Sequence, residues 1–340
     1  MKKPVEFGVR LPAGGPLASV QAMARVARSA EDLGFDAVWV HDFFVWTKVQ
    51  EQFHVSCGSV EIVHEEDPPL FYESLTNLAW LAGVTNRVKL GVAVLCVPYR
   101  EPIATAKQIA NIDLLSDGRL ILGVGPGGAK EGHNKEFEVL RIPRREKWDR
   151  MREHVRVMEA IWTQDKPSFE GRWTGFEPTD INPKPVQKPY PPLWGCGRMD
   201  RTLDLTAELC TGWIPSWVLP GEYPVLTERL QQMAGTHGRG AVDWVIADEI
   251  HGCIALTHEE AVRQGQRTLE VFTQGFGSNP EQARIWDSSY VGDPDEVGER
   301  FDLYVQGGVT HFELKFIYHT VDGLLEQMQL FAERVIPRFR

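Results

Sequence analysis

Two glycine-rich stretches, each with a basic residue close by, are where this chain offers chemistry to an anion. Gly125-Pro126-Gly127-Gly128 can turn backbone N–H groups outward as a shallow nest, with Lys130 nearby. Gly195-Cys196-Gly197-Arg198 runs into a helix pattern that starts near Arg201, so it offers amides, a helix N-terminus and a guanidinium. Together they read as one phosphate site. The other reading is that these glycines only make tight turns, because short glycine clusters are weak motifs. The dipeptide His41-Asp42 offers acid/base chemistry, or else a helix cap or a loop hydrogen bond. Adjacent strand residues face opposite sides, so Asp42, which ends a strand pattern, is the better candidate for a pocket. Trp39, Phe43, Phe44, Trp46, Trp194, Trp213 and Trp217 fall near strand ends, where they suit walls around a flat ring and equally suit packing.

Other chemistries find no support. Cys57, Cys96, Cys196, Cys210 and Cys253 are odd in number and form no CxxC pair, so neither a zinc ribbon nor a disulfide framework is expected. His54, His64 and His133 lie in loop-like sequence and no His-x-His occurs, so no metal site is expected. Neither a nucleophile elbow nor a Walker loop is present, which argues against acyl transfer and nucleotide hydrolysis. The formal charge of −11 is unbroken by any Lys/Arg run, which argues against nucleic acid and anionic membrane surfaces as partners. MKKPVEFGVRLP carries no apolar signal core and no apolar run reaches ~18 residues, so the setting is read as cytoplasmic, without a membrane span.

The elements that must hold these residues alternate. Strand patterns at Val5–Leu11, Asp36–Val40, Val88–Val97, Arg119–Val124, Leu193–Gly197, Gly212–Val218, Trp244–Leu256 and Thr310–Phe316 are separated by helix patterns. These include a helix capped by Ser19, one at Pro102–Leu115, and a long one at about Arg144–Trp162. Eight such repeats predict an α/β fold, a (β/α)8 TIM barrel spanning 1–340 as a single domain. The rival, an open doubly wound sheet, lacks its GxGxxG fingerprint after the first strand. Insertions are expected after strands 2, 4 and 5, with 43–69 as an active-site loop and 163–192 as an arm or small hairpin. In such a barrel the strand C-termini form the working face. That face would carry Leu11, Pro12, His41, Asp42, Pro98 to Arg100, Gly125 to Gly128, Gly195 to Arg198, Trp213 to Trp217 and Phe316 to His319.

LGVAVLCVPYREPIATAKQIANIDLLSDGRLILGVGPGG, FEVLRIPRREKWDRMREHVRVMEAIWTQDKPSFEGRW and NPKPVQKPYPPLWGCGR, followed by TGWIP, resemble the bacterial-luciferase-like flavin and deazaflavin oxidoreductases over nearly the whole chain. The resemblance is strongest to the coenzyme F-420-dependent branch. It implies a non-covalent flavin-type ring at the barrel mouth and a third-strand bulge with a non-proline cis peptide at about Ala93-Val94. It places phosphate contacts on Gly125, Gly127, Gly128, Gly197, Arg198 and Met199. Leu11 and Asp42 would lie near the ring, with Phe43, Phe44 and Trp217 around a small organic substrate. Coenzyme F-420 is the expected cofactor, FMN the alternative, and a homodimer the expected assembly. The implied activity is hydride transfer to or from the substrate. The alternatives are reduced-FMN monooxygenation and, from another class, a flavin-binding barrel without turnover. Two departures stand out: Phe43 occupies a position that is often His in relatives, leaving His41 as a substitute, and Cys196-Gly197-Arg198-Met199 stands where Gly-Gly-Ser is frequent.

Overall fold

Strands that are apolar on both faces need cover on both, and a parallel sheet closed on itself with helices outside provides it. The computed structural model describes residues 4–45, 70–128, 131–274 and 279–340. In chain order the strands are β1 (Glu6–Arg10), β2 (Ala37–Val40), β3 (Lys89–Cys96), β4 (Leu120–Gly125), β5 (Phe169–Glu170), β6 (Gly175–Phe176), β7 (Leu193–Cys196), β8 (Gly212–Ile214), β9 (Val245–Ile254), β10 (Tyr290–Gly292) and β11 (His311–Phe316). β1, β2, β3, β4, β7, β8, β9 and β11 pair in that order, all parallel, and β11 returns to β1. That closure makes the eight-stranded barrel. β10 adds to the flank of β9, and β5 with β6 forms a small antiparallel hairpin within the 163–192 arm.

Local chemistry sets the helix ends. The Ser19 side chain accepts from the Ala22 amide and starts the helix Val20–Asp32. The Glu101 carboxylate accepts from Ile103 and Ala104, and Pro102 opens the helix Pro102–Leu115 at the position where its missing N–H costs nothing. Outside the sheet, Phe7, Phe301, Phe312 and Phe331 pack edge-on and stacked, with centroids 4.7 to 5.6 Å apart where Phe301 and Phe7 meet the others. Inside the barrel, Trp39 and Trp194 fill the lower half around His311, which both rings meet edge-on at 5.4 and 4.9 Å. An added Cβ at Gly8 or Gly91 would overlap the Trp39 indole, and one at Gly212 the Trp194 indole. Glycine on one strand thus makes room for an indole on its neighbour.

Three expectations need correction. Between Cys196 and the helix Asp200–Leu209 lie only residues 197–199, so the insertion expected after the fifth barrel strand is not there. The extra length follows the seventh barrel strand, β9, as the helices His258–Gln274 and Asn279–Ser288 and the strand β10. After the fourth strand comes a helix, Glu131–Val139, ahead of the long helix, which begins at Lys147 and ends at Thr163. Glu131–Val139 and Asn279–Ser288 are short and rich in polar residues, so they lack the apolar stripe that reveals longer helices. Most of the 43–69 loop, with Trp46, His54, Cys57 and His64, lies outside the described residues. Among the described residues no helix is long and apolar enough to cross a membrane.

Candidate active site

The mouth of the barrel is shaped first by a break in β3. Its register against β4 jumps between Val92 and Leu95, and the Ala93–Val94 peptide is cis, at the bond the family resemblance implies. An added Cβ at Gly123 would sit 2.5 Å from the Val92 carbonyl oxygen, so the bulge needs glycine opposite it. Val94 is half-buried, whereas its neighbours on the strand are buried. The Arg10 Nη2 donates to the Ala93 carbonyl at 3.0 Å.

Below this bulge runs a layer of charge. His311, Glu313 and Lys315 alternate along the inner face of β11. Glu313 pairs with Arg10, and Lys315 pairs with Glu249 of β9. Glu249 also accepts from the Ser216 hydroxyl at 3.1 Å and lies 4.0 Å from Arg10. Burial pushes the Glu313 carboxyl up, Arg10 pulls it back and Glu249 adds to the rise, so it lies above the usual carboxylate range. Burial, reinforced by Lys315 and Arg10, drives His251 well down, which keeps it neutral. None of Arg10, Glu249, Glu313 and Lys315 was singled out from the sequence. The available signal was a pair of charges two residues apart within otherwise apolar strand patterns.

The anion end lies at the exits of β4 and β7. Gly127 (φ 88°) and Gly197 (φ 80°) adopt the left-handed conformation that lets consecutive amides turn outward. Gly125 and Cys196 meet across the two strand ends: an added Cβ at Gly125 would lie 2.7 Å from the Cys196 Sγ. The Lys147 Nζ donates to the carbonyls of Gly127 and Gly128 at 2.8 and 3.0 Å. Burial lowers the Lys147 pKa, and the positive charges of Arg144 and Arg201 lower it further. Arg201 lies 4.4 Å above the Trp148 ring. Arg198 is half-buried, and exposed Met199 is the N-cap of the helix Asp200–Leu209. The Trp213 indole N–H fixes the Gly197 carbonyl at 2.7 Å. Two left-handed glycines, a helix N-terminus and mutually repelling cations suit an anionic group such as a phosphate. Lys130 lies outside the described residues. Lys147, which donates to this loop's carbonyls, was legible only as a residue of the helix at about Arg144–Trp162.

Asp42 sits differently from expectation. Its Oδ1 accepts from the Ser74 hydroxyl (2.8 Å) and Arg100 Nη2 (2.6 Å); its Oδ2 accepts from the Cys96 amide (2.9 Å) and Arg100 Nη1 (2.7 Å). A carboxylate offers about four acceptor sites, and here four donors fill them. The side chain is 1% exposed. An acid/base role for Asp42 therefore has no lone pair left to serve it. Arg100 also reaches Glu73 at 2.7 Å and lies 4.6 Å above the Phe44 ring. Burial alone would lower its pKa, but Asp42 and Glu73 outweigh burial and raise it. The Phe44 amide donates to Glu136 at 2.7 Å, and the Tyr99 hydroxyl donates to the same carboxylate at 3.0 Å.

His41 is wedged among aromatics, edge-on to Phe71 at 5.1 Å and 5.5 Å from Phe43. Leu11 is buried, and its amide donates to the Trp39 carbonyl. Trp217 is half-buried with φ 59°, directly after Ser216. The structure thus gathers Ala93, Val94, Gly125 and Cys196 at one place and sets Asp42 behind β3, tied to Arg100. Among the described residues, Asp204, Glu208 and His237 bring ligand-type atoms within 4.8 Å of one another. Arg152 already pairs with both carboxylates, and Arg156 with Glu208, on the outer surface.

A closed parallel barrel with a bulged third strand and left-handed glycines at the exits of its fourth and fifth strands is the architecture that the resemblance to luciferase-like oxidoreductases implies. The chain belongs to the luciferase-like monooxygenase family, whose profile matches residues 4–311, and it is an oxidoreductase of that family. It is 30% identical over 346 aligned residues, covering 94% of each chain, to F420-dependent glucose-6-phosphate dehydrogenase of Amycolatopsis mediterranei (strain U-32). It is 32% identical over 299 residues, covering 79% of each chain, to FMNH(2)-dependent dimethylsulfone monooxygenase of Pseudomonas putida. Among solved structures, F420-dependent secondary alcohol dehydrogenase in complex with an F420-acetone adduct superposes with a TM-score of 0.79 at 19% identity over all of both chains.

Proposed function

We propose that this protein is a coenzyme F-420-dependent oxidoreductase that moves a hydride to or from a small organic substrate at the barrel mouth. One observation carries the reading: the β3 bulge at Ala93 and Val94 lies beside the glycine exits of β4 and β7, so a single ligand can rest a flat ring on one and an anionic arm in the other. The preference for F-420 over FMN is supported by the likeness to an F420-dependent relative along 94% of both chains, against 79% for the FMNH(2)-dependent one. When bound, a deazaflavin ring supplies two-electron hydride chemistry.

The chain would do the rest. The amides around Gly127 and Gly197, with Lys147 and Arg198, would bind the anionic arm. Val94 would support the ring, and Phe43, Phe44 and Trp217 would exclude water from the substrate. The Asp42–Arg100 pair would position the exits of β2 and β3. Lys315, paired with Glu249 beneath the mouth, would place a charged donor under the ring. A small organic substrate and a homodimer belong to the same proposal, the latter checked by light scattering.

Titration of the purified protein with F-420 and with FMN, followed by fluorescence, tests the assignment. F-420 should bind, and Lys147→Met should weaken it by about tenfold, the worth of one hydrogen-bonded charge. Tight FMN binding without F-420 binding would sink the assignment. It would favour instead the reduced-FMN monooxygenase reading that the Pseudomonas putida relative motivates.

A further inference from the structure

We infer that Arg10 is a positioning residue for the cofactor: its guanidinium braces the Ala93 carbonyl across the barrel, and Glu313 with Glu249 serves to hold that guanidinium. The inference rests on the cofactor reading above, because it takes the ring to be the group that lies over the bulge.

The bulge takes Ala93 and Val94 out of step with β4. Val92 pairs with Leu122 and Leu95 with Val124, leaving two residues opposite Gly123 alone. Such a segment keeps its shape only if something other than the ladder holds it. On the side toward β4 that strand does part of the work, since Val94 leans over Gly123 and Gly125, where an added Cβ would come within 3.2 and 3.1 Å of its methyl groups. From the opposite side, toward β1, the brace is Arg10, bonded to the Ala93 carbonyl at 3.0 Å. Arg10 belongs to β1, and β2 lies between β1 and β3. Reaching past an intervening strand requires a long side chain with a donor at its tip.

The environment of that side chain points the same way. Arg10 is 7% exposed and is gripped by Glu313 of β11, with Glu249 of β9 at 4.0 Å. Burying such a group is expensive, and apolar residues of similar volume commonly serve stability as well or better. The layer below makes the contrast: there the barrel is filled with indoles. A buried ion pair at the upper layer therefore specifies geometry, and the geometry it specifies is that of the bulge. Arg10 would act through Ala93 and touch no substrate.

The experiment separates bracing from ordinary structural support. Arg10→Met leaves Glu313 buried without its cation, so it should lower the urea midpoint as well as the affinity for F-420. The double variant Arg10→Met/Glu313→Leu removes both charges and should recover the urea midpoint. It should nevertheless keep an about tenfold weaker affinity for F-420, or for FMN if that is what binds, because the Ala93 carbonyl has lost its charged donor. The absorption band of the bound cofactor should also broaden or shift relative to the wild-type complex. Arg10→Lys, which keeps the charge beside Glu313 but loses the fork, should stay folded and still bind more weakly. Affinity within about twofold of wild type in the double variant and in Arg10→Lys would overturn the inference while leaving the cofactor reading intact. Wild-type protein that takes up neither cofactor would overturn the cofactor reading, and this inference with it.

Discussion

Replacing Arg100 with methionine asks whether Asp42 is a strut or a proton carrier. The pair is buried, with side chains 8% and 1% exposed, and its two bonds measure 2.6 and 2.7 Å. Hydrogen bonds to charged groups contribute roughly 1.5–3 kcal/mol each, and stranding one partner of a buried pair costs about 3–5 kcal/mol. After Arg100→Met, Asp42 keeps only Ser74 and the Cys96 amide, so we expect a loss of about 3–5 kcal/mol. The Glu73 contact contributes little to that figure, because Glu73 is 38% exposed and solvent screens it. Adding Asp42→Asn removes the stranded charge and keeps hydrogen-bonding partners for Ser74 and Cys96. The double variant should regain about 2 kcal/mol over Arg100→Met alone. Urea unfolding at pH 7, with midpoint and slope both fitted, measures each value. A loss below about 1 kcal/mol for Arg100→Met, or strict additivity of the two changes, refutes the reasoning. Turnover gives a second readout. A proton carrier predicts that Asp42→Asn abolishes activity at little cost in stability, whereas a strut predicts the reverse.

The remaining predictions concern the lower barrel. Burial would raise the pKa of Glu6, but hydrogen bonds from His311 and Lys89 outweigh it and hold it at about 2. Its stabilisation is therefore full above the ordinary value of 4.5 and lost as pH falls through about 2. Glu6 is partly exposed, so after screening it contributes about 1–2 kcal/mol at pH 7, more than half of it gone by pH 3. Thermal midpoints of Glu6→Gln and wild type should differ at pH 7 and converge toward pH 3; a constant gap would contradict the linkage. Gly91→Ala places a methyl into the Trp39 indole and should cost about 1–3 kcal/mol through overpacking. Gly83→Ala, exposed in the helix Ser74–Val84 with nothing within 4 Å, should gain roughly 0.5–1 kcal/mol. Equal midpoints for these two alanine variants in thermal denaturation would remove the packing argument.

The sequence made the barrel legible because periodicity is local. Pro102–Leu115 was bounded at both ends by its own residues, Pro102 at the start and Ser116-Asp117-Gly118 after the end. What stayed hidden depends on which strands become neighbours. Arg10 and Glu313 stand 303 residues apart, and only the return of β11 to β1 brings them together. Within their own segments, VEFGVRL and THFELKF, each reads as a strand with one awkward charge. Asp42 and Arg100 were each placed near the mouth by the ends of their strands, but their pairing stayed hidden because they stand 58 residues apart. Lys147 was hidden in the same way, its glycine partners being 19 and 20 residues upstream. The misplaced insertion has a different cause. Asn279–Ser288 carries no apolar stripe that would mark extra structure after β9.

The exchange of glycine for indole in the lower barrel also bears on how such a chain can vary. Trp39 occupies space released by Gly8 and Gly91, and Trp194 occupies space released by Gly212. A larger residue at any of the three positions meets an indole, and a smaller residue in place of either indole leaves a hole that glycine cannot fill. Either step alone carries a packing cost, so the floor changes most cheaply by linked substitutions on neighbouring strands. Glycine and indole in the floor are thus one choice made across two strands rather than two independent ones.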